Sequence, residues 1–304
     1  MTQEHIAFTR LSSVLPYPGG KSKVADFLVS LFPPHELYVD MFCGGLSVSL
    51  AKPPSMSKAE WFNDKYDALV NFFYVMANHP DEFLAYFEGH FVIDAETMYR
   101  RYVARLKEPI EIPDVEAAVV LWMTQRQTFT GRNVVAGTSY RYANTRFSGR
   151  HVDTLDIDAI RAFHARLAGV QIFCRDFRHI FRMLGNYDNP TTFIFQDPPY
   201  WDVRGGDDYA EKFTYQDHED LANLNLATRA RWLMTINDHP DIRSLYEGRE
   251  GIHIREYDIT YGSGNRYDTA VRYTHELLIS NYNTETQFGP LFTLEGDHEK
   301  AKGD

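Results

Sequence analysis

Residues 37–45 read LYVDMFCGG, an alternating apolar stretch that ends in two glycines before a helical pattern resumes at Leu46. Alternation with a period of two is typical of a β-strand, and paired glycines favour a tight turn. A second apolar run, TFIF at 192–195, comes shortly before the polar Asp197. These patterns predict a sheet of strand–turn–helix units, in which polar residues follow the strands along one edge.

The same alternation of strands and helices occurs on both sides of a mainly helical middle segment. Further strands are expected at 61–62, 170–173, 191–196, 232–236 and 276–280. A helix is expected after Asp64, running to about Met76, and others near 177–184, 217–228 and 239–246. Between them, helices are expected at 94–107, 115–128 and 156–168, and a loop or hairpin at 131–149. The pattern predicts an open, mostly parallel α/β sheet interrupted by a second domain. The expected boundaries are 1–78 with 168–304 for the sheet domain, and 79–167 for the insert.

Composition narrows the class of protein. The chain has 304 residues, a net charge of −11 and 44% hydrophobic residues, which is typical of a soluble globular protein. Its longest apolar run, 117–123, is too short to span a membrane, and the start MTQEHIAFTR lacks a signal peptide pattern, so we expect a cytoplasmic protein. Two cysteines exclude a disulfide framework, and the 12 histidines lack metal-ligand spacing, so no metal is expected.

The charge is unevenly distributed along the chain. Residues 117–152 contain five arginines and no Asp or Glu, so this stretch carries +5 and the remainder carries −16. Aromatic residues, including Trp122, Phe129 and Tyr140, are interleaved with the arginines. The pattern fits either a solvated basic face or a surface that binds a polyanion, because arginine suits phosphate and guanine contacts.

The tetrad Asp197-Pro198-Pro199-Tyr200 lies directly after a strand, at the edge where ligands bind in a parallel sheet. Two prolines fix the backbone, so the carboxylate of Asp197 and the carbonyl of Pro198 can both accept hydrogen bonds. Two acceptors beside the ring of Tyr200 suit the exocyclic amine of a flat base. An ordinary β-turn is the alternative, but all four residues after a strand make a binding site the better interpretation.

The turn at Gly44 and Gly45 predicts a second ligand contact. Glycines between a strand and a helix let a ligand approach the backbone at the positive helix end. Asp64 ends the next strand, where an acid typically binds the hydroxyls of a ribose. The two features together favour adenosine recognition.

Together these motifs resemble the Dam-type N6-adenine DNA methyltransferases, the alpha group with a DPPY tetrad, over nearly the whole chain. The similar segments are Pro16–Lys21, Asp40–Gly45, Asn63–Asp64, Arg175–Phe177, Asp197–Tyr200 and Glu276–Tyr282. The chain differs where the family often has a further glycine, at Leu46, and near Val134, where members that read GATC carry an arginine. The second difference argues against GATC as the recognition sequence.

The resemblance implies a Rossmann-like sheet with helices on both faces, S-adenosyl-L-methionine (AdoMet) as the cofactor, and an inserted target-recognition domain. It implies methyl transfer to the N6 amine of an adenine flipped out of duplex DNA, as in restriction-modification, with no protein partner implied. The implied catalytic residues are Asp197, Pro198, Pro199 and Tyr200. The implied cofactor-binding residues are Tyr17, Gly20, Lys21, Asp40, Phe42, Gly44, Gly45, Asp64, Asp176, Phe177 and Asp197. The candidate DNA contacts are Arg126, Phe129, Arg132, Asn133, Arg141 and Arg146.

Two alternatives remain at this point. A methyltransferase acting on cytosine N4 can use the same tetrad. A non-catalytic relative could bind DNA or AdoMet on the same fold, although the intact tetrad argues against it. RNA adenine and protein glutamine methyltransferases mostly carry Asn at the position of Asp197, so they rank lower.

Overall fold

The computed structural model describes residues 11, 15, 20–90, 103–127, 156–202, 213–260 and 273–287. Within these ranges the chain forms one seven-stranded sheet with the strand order β3-β2-β1-β4-β5-β7-β6. The strands are β1 (Leu37–Asp40), β2 (Ala59–Asp64), β3 (Gln171–Cys174), β4 (Thr192–Gln196), β5 (Arg231–Asn237), β6 (His253–Thr260) and β7 (Tyr273–Ser280).

The first five strands are parallel, and β7 runs against them. Both Phe62 of β2 and Phe195 of β4 are in register with Asp40 of β1. The order of strands along the sheet reverses between β1 and β4, because β2 and β3 lie on one side of β1 and β4 and β5 on the other. Parallel sheets form a ligand crevice at the strand ends at such a point. Because β7 is antiparallel, its first half lies beside the carboxyl ends of the other strands, and Glu276 is in register with Asn237 of β5.

Helices cover both faces of the sheet. They are α1 (Ala25–Ser30), α2 (Ser47–Ala51), α3 (Asp67–Asn78), α4 (Pro80–His90), α5 (Val115–Gln127), α6 (Ile157–Leu167), α7 (Phe177–Leu184), α8 (Tyr215–Ala227) and α9 (Pro240–Tyr246). Short 3-10 turns occur at Pro54–Met56, Gly185–Tyr187 and Thr284–Gln287. The expected mixed α/β sheet with helices on both faces is therefore confirmed.

Alternating strand residues divide the core into two layers. Phe193 and Phe195 of β4 pack with α1 to α6, whereas Ile194 packs with α7 to α9. All three side chains are buried. A strand covered on both faces needs apolar residues at successive positions, which explains the TFIF run.

The helices of the middle segment share the first layer with α3. Phe72 of α3 contacts the rings of Phe83 in α4 and Phe163 in α6, and Phe83 contacts Trp122 in α5. These aromatic contacts join the described part of 79–167 to the sheet. The proposed domain boundaries stay a prediction.

A buried ion cluster fixes the end of the middle segment to the sheet. The guanidinium of Arg166, in α6, donates to both oxygens of Glu60 at 2.6 and 3.0 Å and to the Ser49 carbonyl at 2.7 Å. Lys52 donates to Glu60 at 2.8 Å. All three charged side chains are buried, so each charge depends on its partners.

Most of the predicted elements are confirmed, with shifts of up to three residues at their ends. The helix expected at 94–107 lies mostly outside the described residues, and the loop or hairpin expected at 131–149 lies wholly outside them. Two elements were not predicted, α1 and β6 (His253–Thr260). Charged residues interrupt β6 at Arg255 and Glu256, which weakens its apolar pattern. It belongs to the sheet because it pairs with β7 over eight residues. Among the described residues, no helix has the length and apolar character needed to cross a bilayer.

Candidate active site at the carboxyl edge of the sheet

The tetrad lies at the end of central strand β4, where a buried lysine holds it. Lys21, which precedes α1 and is 2% exposed, donates hydrogen bonds to the two carboxylate oxygens of Asp197 at 2.7 and 3.0 Å. It also donates to the hydroxyl of Tyr200 at 2.7 Å. Thr235, in β5, donates to Asp197 at 2.7 Å. Burial raises the pKa of Asp197, and the Lys21 ammonium opposes that rise.

A buried carboxylate on β7 lies next to the tetrad. Glu276 of β7 is 0% exposed and accepts hydrogen bonds from the hydroxyls of Tyr200 and Tyr257. Its Oε2 atom is 3.9 Å from the Lys21 ammonium. Lys21 therefore lies between two carboxylates, and the phenol of Tyr200 bridges Lys21 and Glu276.

The backbone after the tetrad is clamped by Asn237, the last residue of β5. The amide of Asn237 accepts from the Trp201 N–H at 3.0 Å and donates to the Trp201 carbonyl at 2.9 Å. The indole N–H of Trp201 donates to Asp241 at 3.0 Å. These paired bonds fix the direction in which the chain leaves Tyr200.

The glycine turn after β1 is fixed by Asp64 at the end of β2. The N–H of Gly44 donates to Asp64 at 2.9 Å, and the N–H of Tyr66 donates to the other carboxylate oxygen at 3.0 Å. Gly44 has a φ of 44° and Leu46 a φ of 60°. Leu46 thus adopts the left-handed conformation that favours glycine.

Asp40 is buried at the end of β1, and only one of its two carboxylate oxygens has a hydrogen-bond partner among the described residues. Its Oδ2 atom accepts from the hydroxyl of Ser49, and its Oδ1 atom has no partner within the described ranges. Burial raises the pKa of Asp40 to about 7, and the negative charges of Asp197 and Asp64 add to the rise. A buried oxygen without a partner is costly unless a ligand supplies a donor.

Asp176 and Phe177 begin α7 beside the glycine turn. The carboxylate of Asp176 caps the helix by accepting from the Arg178 N–H at 2.9 Å. Phe177 contacts Phe42 and Phe213, with ring centroids 5.9 and 5.6 Å apart. The three rings form an apolar cluster next to the strand ends, which suits contact with a flat heterocycle.

Arg178 links α7, the helix that begins with Phe177, to α8. Its guanidinium pairs with Asp217 at 2.6 Å and with Asp220 at 2.7 Å, both in α8. The same guanidinium lies 4.4 Å from the centroid of the Phe177 ring. These contacts hold Phe177 in place at the start of α7.

The structure brings most of the predicted site residues to one edge of the sheet. Those at this edge are Gly20, Lys21, Asp40, Phe42, Gly44, Gly45, Asp64, Asp176, Phe177 and the tetrad from Asp197 to Tyr200, with Pro198 and Pro199 between them. The backbone of Arg126 lies near the end of α5. The remaining predicted residues are outside the described ranges: Tyr17, Phe129, Arg132, Asn133, Arg141 and Arg146.

Sequence reasoning missed the residues that β5, β6 and β7 contribute. Thr235, Asn237, Tyr257 and Glu276 each contact the tetrad or a residue bonded to it. The one available signal was a charged residue in an apolar strand, Glu276 before Leu277-Leu278-Ile279. Charged side chains are rarely buried without partners, so such a residue marks a buried network.

A mostly parallel α/β sheet with a DPPY tetrad at its switch point is consistent with the AdoMet-dependent methyltransferase fold. The sequence of residues 17–260 matches the family described as D12 class N6 adenine-specific DNA methyltransferase. Because the match covers most of the chain, the protein belongs to this family. The family-level expectation is confirmed, and the narrower Dam-type assignment stays a prediction.

The chain is also similar to a protein of Planomicrobium okeanokoites named Type II methyltransferase M.FokI. The two are 22% identical over 311 aligned positions, which cover 93% of this chain. The chain spans 45% of the length of that relative.

Proposed function

We propose that this protein transfers a methyl group from AdoMet to the N6 amine of an adenine in duplex DNA, as a Dam-type enzyme. The observation that carries the proposal is the tetrad at the end of β4. Asp197 is held there by Lys21 and Thr235, beside the ring of Tyr200. Family membership supports the adenine as the target base.

The residues at the strand ends fit AdoMet. The unpartnered Oδ1 of Asp40 suits a donor or a positive charge, such as those of the methionine part. Each oxygen of Asp64 accepts one backbone N–H and can accept a second bond from a ribose hydroxyl. Phe42 and Phe177 offer an apolar contact for the adenine ring. Tyr17, Gly20, Lys21, Gly44, Gly45 and Asp176 complete the proposed cofactor set.

The tetrad would act on the target base by holding its amine. Extruding the base from the duplex costs a few kcal/mol, and stacking on Tyr200 compensates in part. Asp197 and the Pro198 carbonyl would accept from the two amine hydrogens, which raises electron density on the nitrogen. AdoMet supplies an electrophilic methyl group when it is bound. The contribution of the protein is positioning and electrostatics, and no covalent enzyme intermediate is needed.

The arginine-rich stretch is the proposed DNA-binding part. Residues 117–152 carry +5 and no carboxylate, in a chain whose net charge is −11. Arg126, Arg132, Arg141, Arg146 and Asn133 are the proposed phosphate or base contacts, and Phe129 a stacking residue. We propose that residues 79–167 form the target-recognition insert. Because the relative M.FokI is named a Type II methyltransferase, a role in restriction-modification is part of the proposal.

The test is methyl transfer with base identification. The protein is incubated with unmethylated duplex DNA and AdoMet labelled in its methyl group, and the DNA is digested to nucleosides. Label in N6-methyl-2′-deoxyadenosine supports the proposal, label in N4-methyl-2′-deoxycytidine favours the cytosine alternative, and no label favours a binding protein.

A catalytic variant completes the test. Asp197→Ala removes the carboxylate that would accept from the amine, so we expect transfer to fall below detection. Residual binding of DNA by this variant would show that the loss is chemical. Full activity of Asp197→Ala would disprove the proposed role.

A further inference from the structure

We propose that Glu276 is a positioning residue of the active site, which fixes the ring of Tyr200 through the phenol hydroxyl. The inference rests on the proposed function, because Tyr200 is the surface on which the target base would stack. Glu276 comes from β7, remote from the tetrad in sequence, and has no role in the motif-based assignment.

The first support is the burial of the carboxylate. Glu276 is 0% exposed, in register with Asn237 of β5 on one side and Tyr257 of β6 on the other. Placing a carboxylate inside a sheet is costly and is tolerated only where donors surround it. Both oxygens have donors, because Oε1 accepts from Tyr200 and Oε2 from Tyr257.

The second support is the geometry of the tyrosine. The Tyr200 hydroxyl accepts from Lys21 at 2.7 Å and donates to Glu276, so two charged groups determine where the phenol lies. Lys21 and Glu276 are themselves buried and cannot shift freely. A ring held at its far end in this way keeps one orientation, which is what a stacking platform for a flipped base requires.

The third support is the charge balance around the tetrad. Asp197 is paired with the ammonium of Lys21 and is close enough to the carboxylates of Glu276 and Asp40 to feel their charges. Glu276 in turn accepts hydrogen bonds from the phenols of Tyr200 and Tyr257. Asp197 and Glu276 share the ammonium of Lys21. Glu276 therefore draws part of the lysine's charge away from Asp197, which leaves Asp197 a better acceptor.

The test uses Glu276→Gln, which keeps the size of the side chain and removes its charge. The amide can satisfy only one phenol as an acceptor, so Tyr200 is freed in part. In single-turnover methylation we expect the rate constant to fall about tenfold or more, while the KM for AdoMet changes less than about twofold. The control is Glu256→Gln, an exposed carboxylate of β6 paired with Arg243, which should stay within about twofold of the unmodified protein.

A double-mutant cycle separates positioning from a general loss of structure. Tyr200→Phe keeps the ring and removes the hydroxyl through which Glu276 acts. In that background, Glu276→Gln should cost about twofold or less. An equal loss in both backgrounds would overturn the inference.

The pH profile and the orientation of the ring give two further results. Removing a negative charge beside Asp197 lowers its pKa, so the acid limb of the rate should move to lower pH in Glu276→Gln. An acid limb that does not move contradicts the proposal.

If the unmodified protein transfers no methyl group, the proposed function is wrong. The inference is then decided by crystals of Glu276→Gln, in which Tyr200 must leave its present rotamer.

Discussion

Replacing Lys21 by methionine should destabilise the folded protein in a way that depends on pH. Lys21 donates three hydrogen bonds, to both oxygens of Asp197 and to the Tyr200 hydroxyl, at 2.7 to 3.0 Å. Methionine removes these bonds and leaves the partly buried carboxylate of Asp197 and the buried carboxylate of Glu276 without a cation. Removing one partner of a buried ion pair costs about 3–5 kcal/mol, so we expect the free energy of unfolding to fall by that amount at pH 8.

The direction of the pH effect follows from the pKa of Asp197. Burial holds this pKa above its usual range even with Lys21 present. Without the ammonium, the folded-state pKa rises further above the value of about 4 in the unfolded chain. The folded state then binds more protons between those two values, so its stability is retained at low pH and lost as the pH rises through the folded-state pKa. The deficit should grow by about 1.4 kcal/mol for each unit of added pKa.

The assay is urea unfolding at pH 5 and pH 8, followed by tryptophan fluorescence. The matched control is Lys58→Met, because Lys58 pairs with Glu36 on the surface, with side chains 76% and 55% exposed. That variant should change the free energy of unfolding by less than about 1 kcal/mol at either pH. If Lys21→Met costs less than about 1 kcal/mol, or costs the same at both pH values, Lys21 does not stabilise Asp197 and Glu276 as described.

Two other substitutions test other parts of the structure. Arg166→Met should lower the free energy of unfolding by about 3–5 kcal/mol, because Glu60 loses a paired guanidinium, whereas the exposed Arg182→Met should have little effect in the same urea titration. Asp40→Asn should raise the dissociation constant for AdoMet about tenfold at pH 8, measured by calorimetry. Because the pKa of Asp40 is raised to about 7, the affinity of the unmodified protein should fall from pH 8 to pH 6, and that of the variant should not.

The strand ends could be predicted from the sequence because each carries a local pattern. Asp40, Asp64 and Asp197 each follow an apolar run, and parallel strands bring such residues to one edge. The resemblance added Lys21, which has no strand before it. The structure confirms the fold and the grouping of these residues, and their roles stay predictions.

The remaining contacts depend on strand order, which no local pattern encodes. Glu276 reaches the tetrad only because β7 enters the sheet antiparallel between β5 and β6. Tyr257 lies on β6, which was not predicted because Arg255 and Glu256 interrupt its apolar pattern. Asn237 follows the strand predicted at 232–236, yet its bonds to Trp201 form only because the fold brings the two residues together. Such pairings are visible only in three dimensions.

The position of β7 has a consequence for how the protein is made. Within the sheet, β6 pairs with β7 and not with β5. Residues 253–260 therefore cannot take their place in the sheet before residues 273–280 have been synthesised. Lys21 leaves the ribosome some 255 residues before Glu276, a delay of roughly 13–50 s at ordinary rates of synthesis. From the synthesis of Tyr200 until that of Glu276, the growing chain lacks the carboxylate that accepts from the Tyr200 hydroxyl. The charge cluster is therefore complete only after β7 has been made, and a nascent chain halted before β7 carries the tetrad without Glu276.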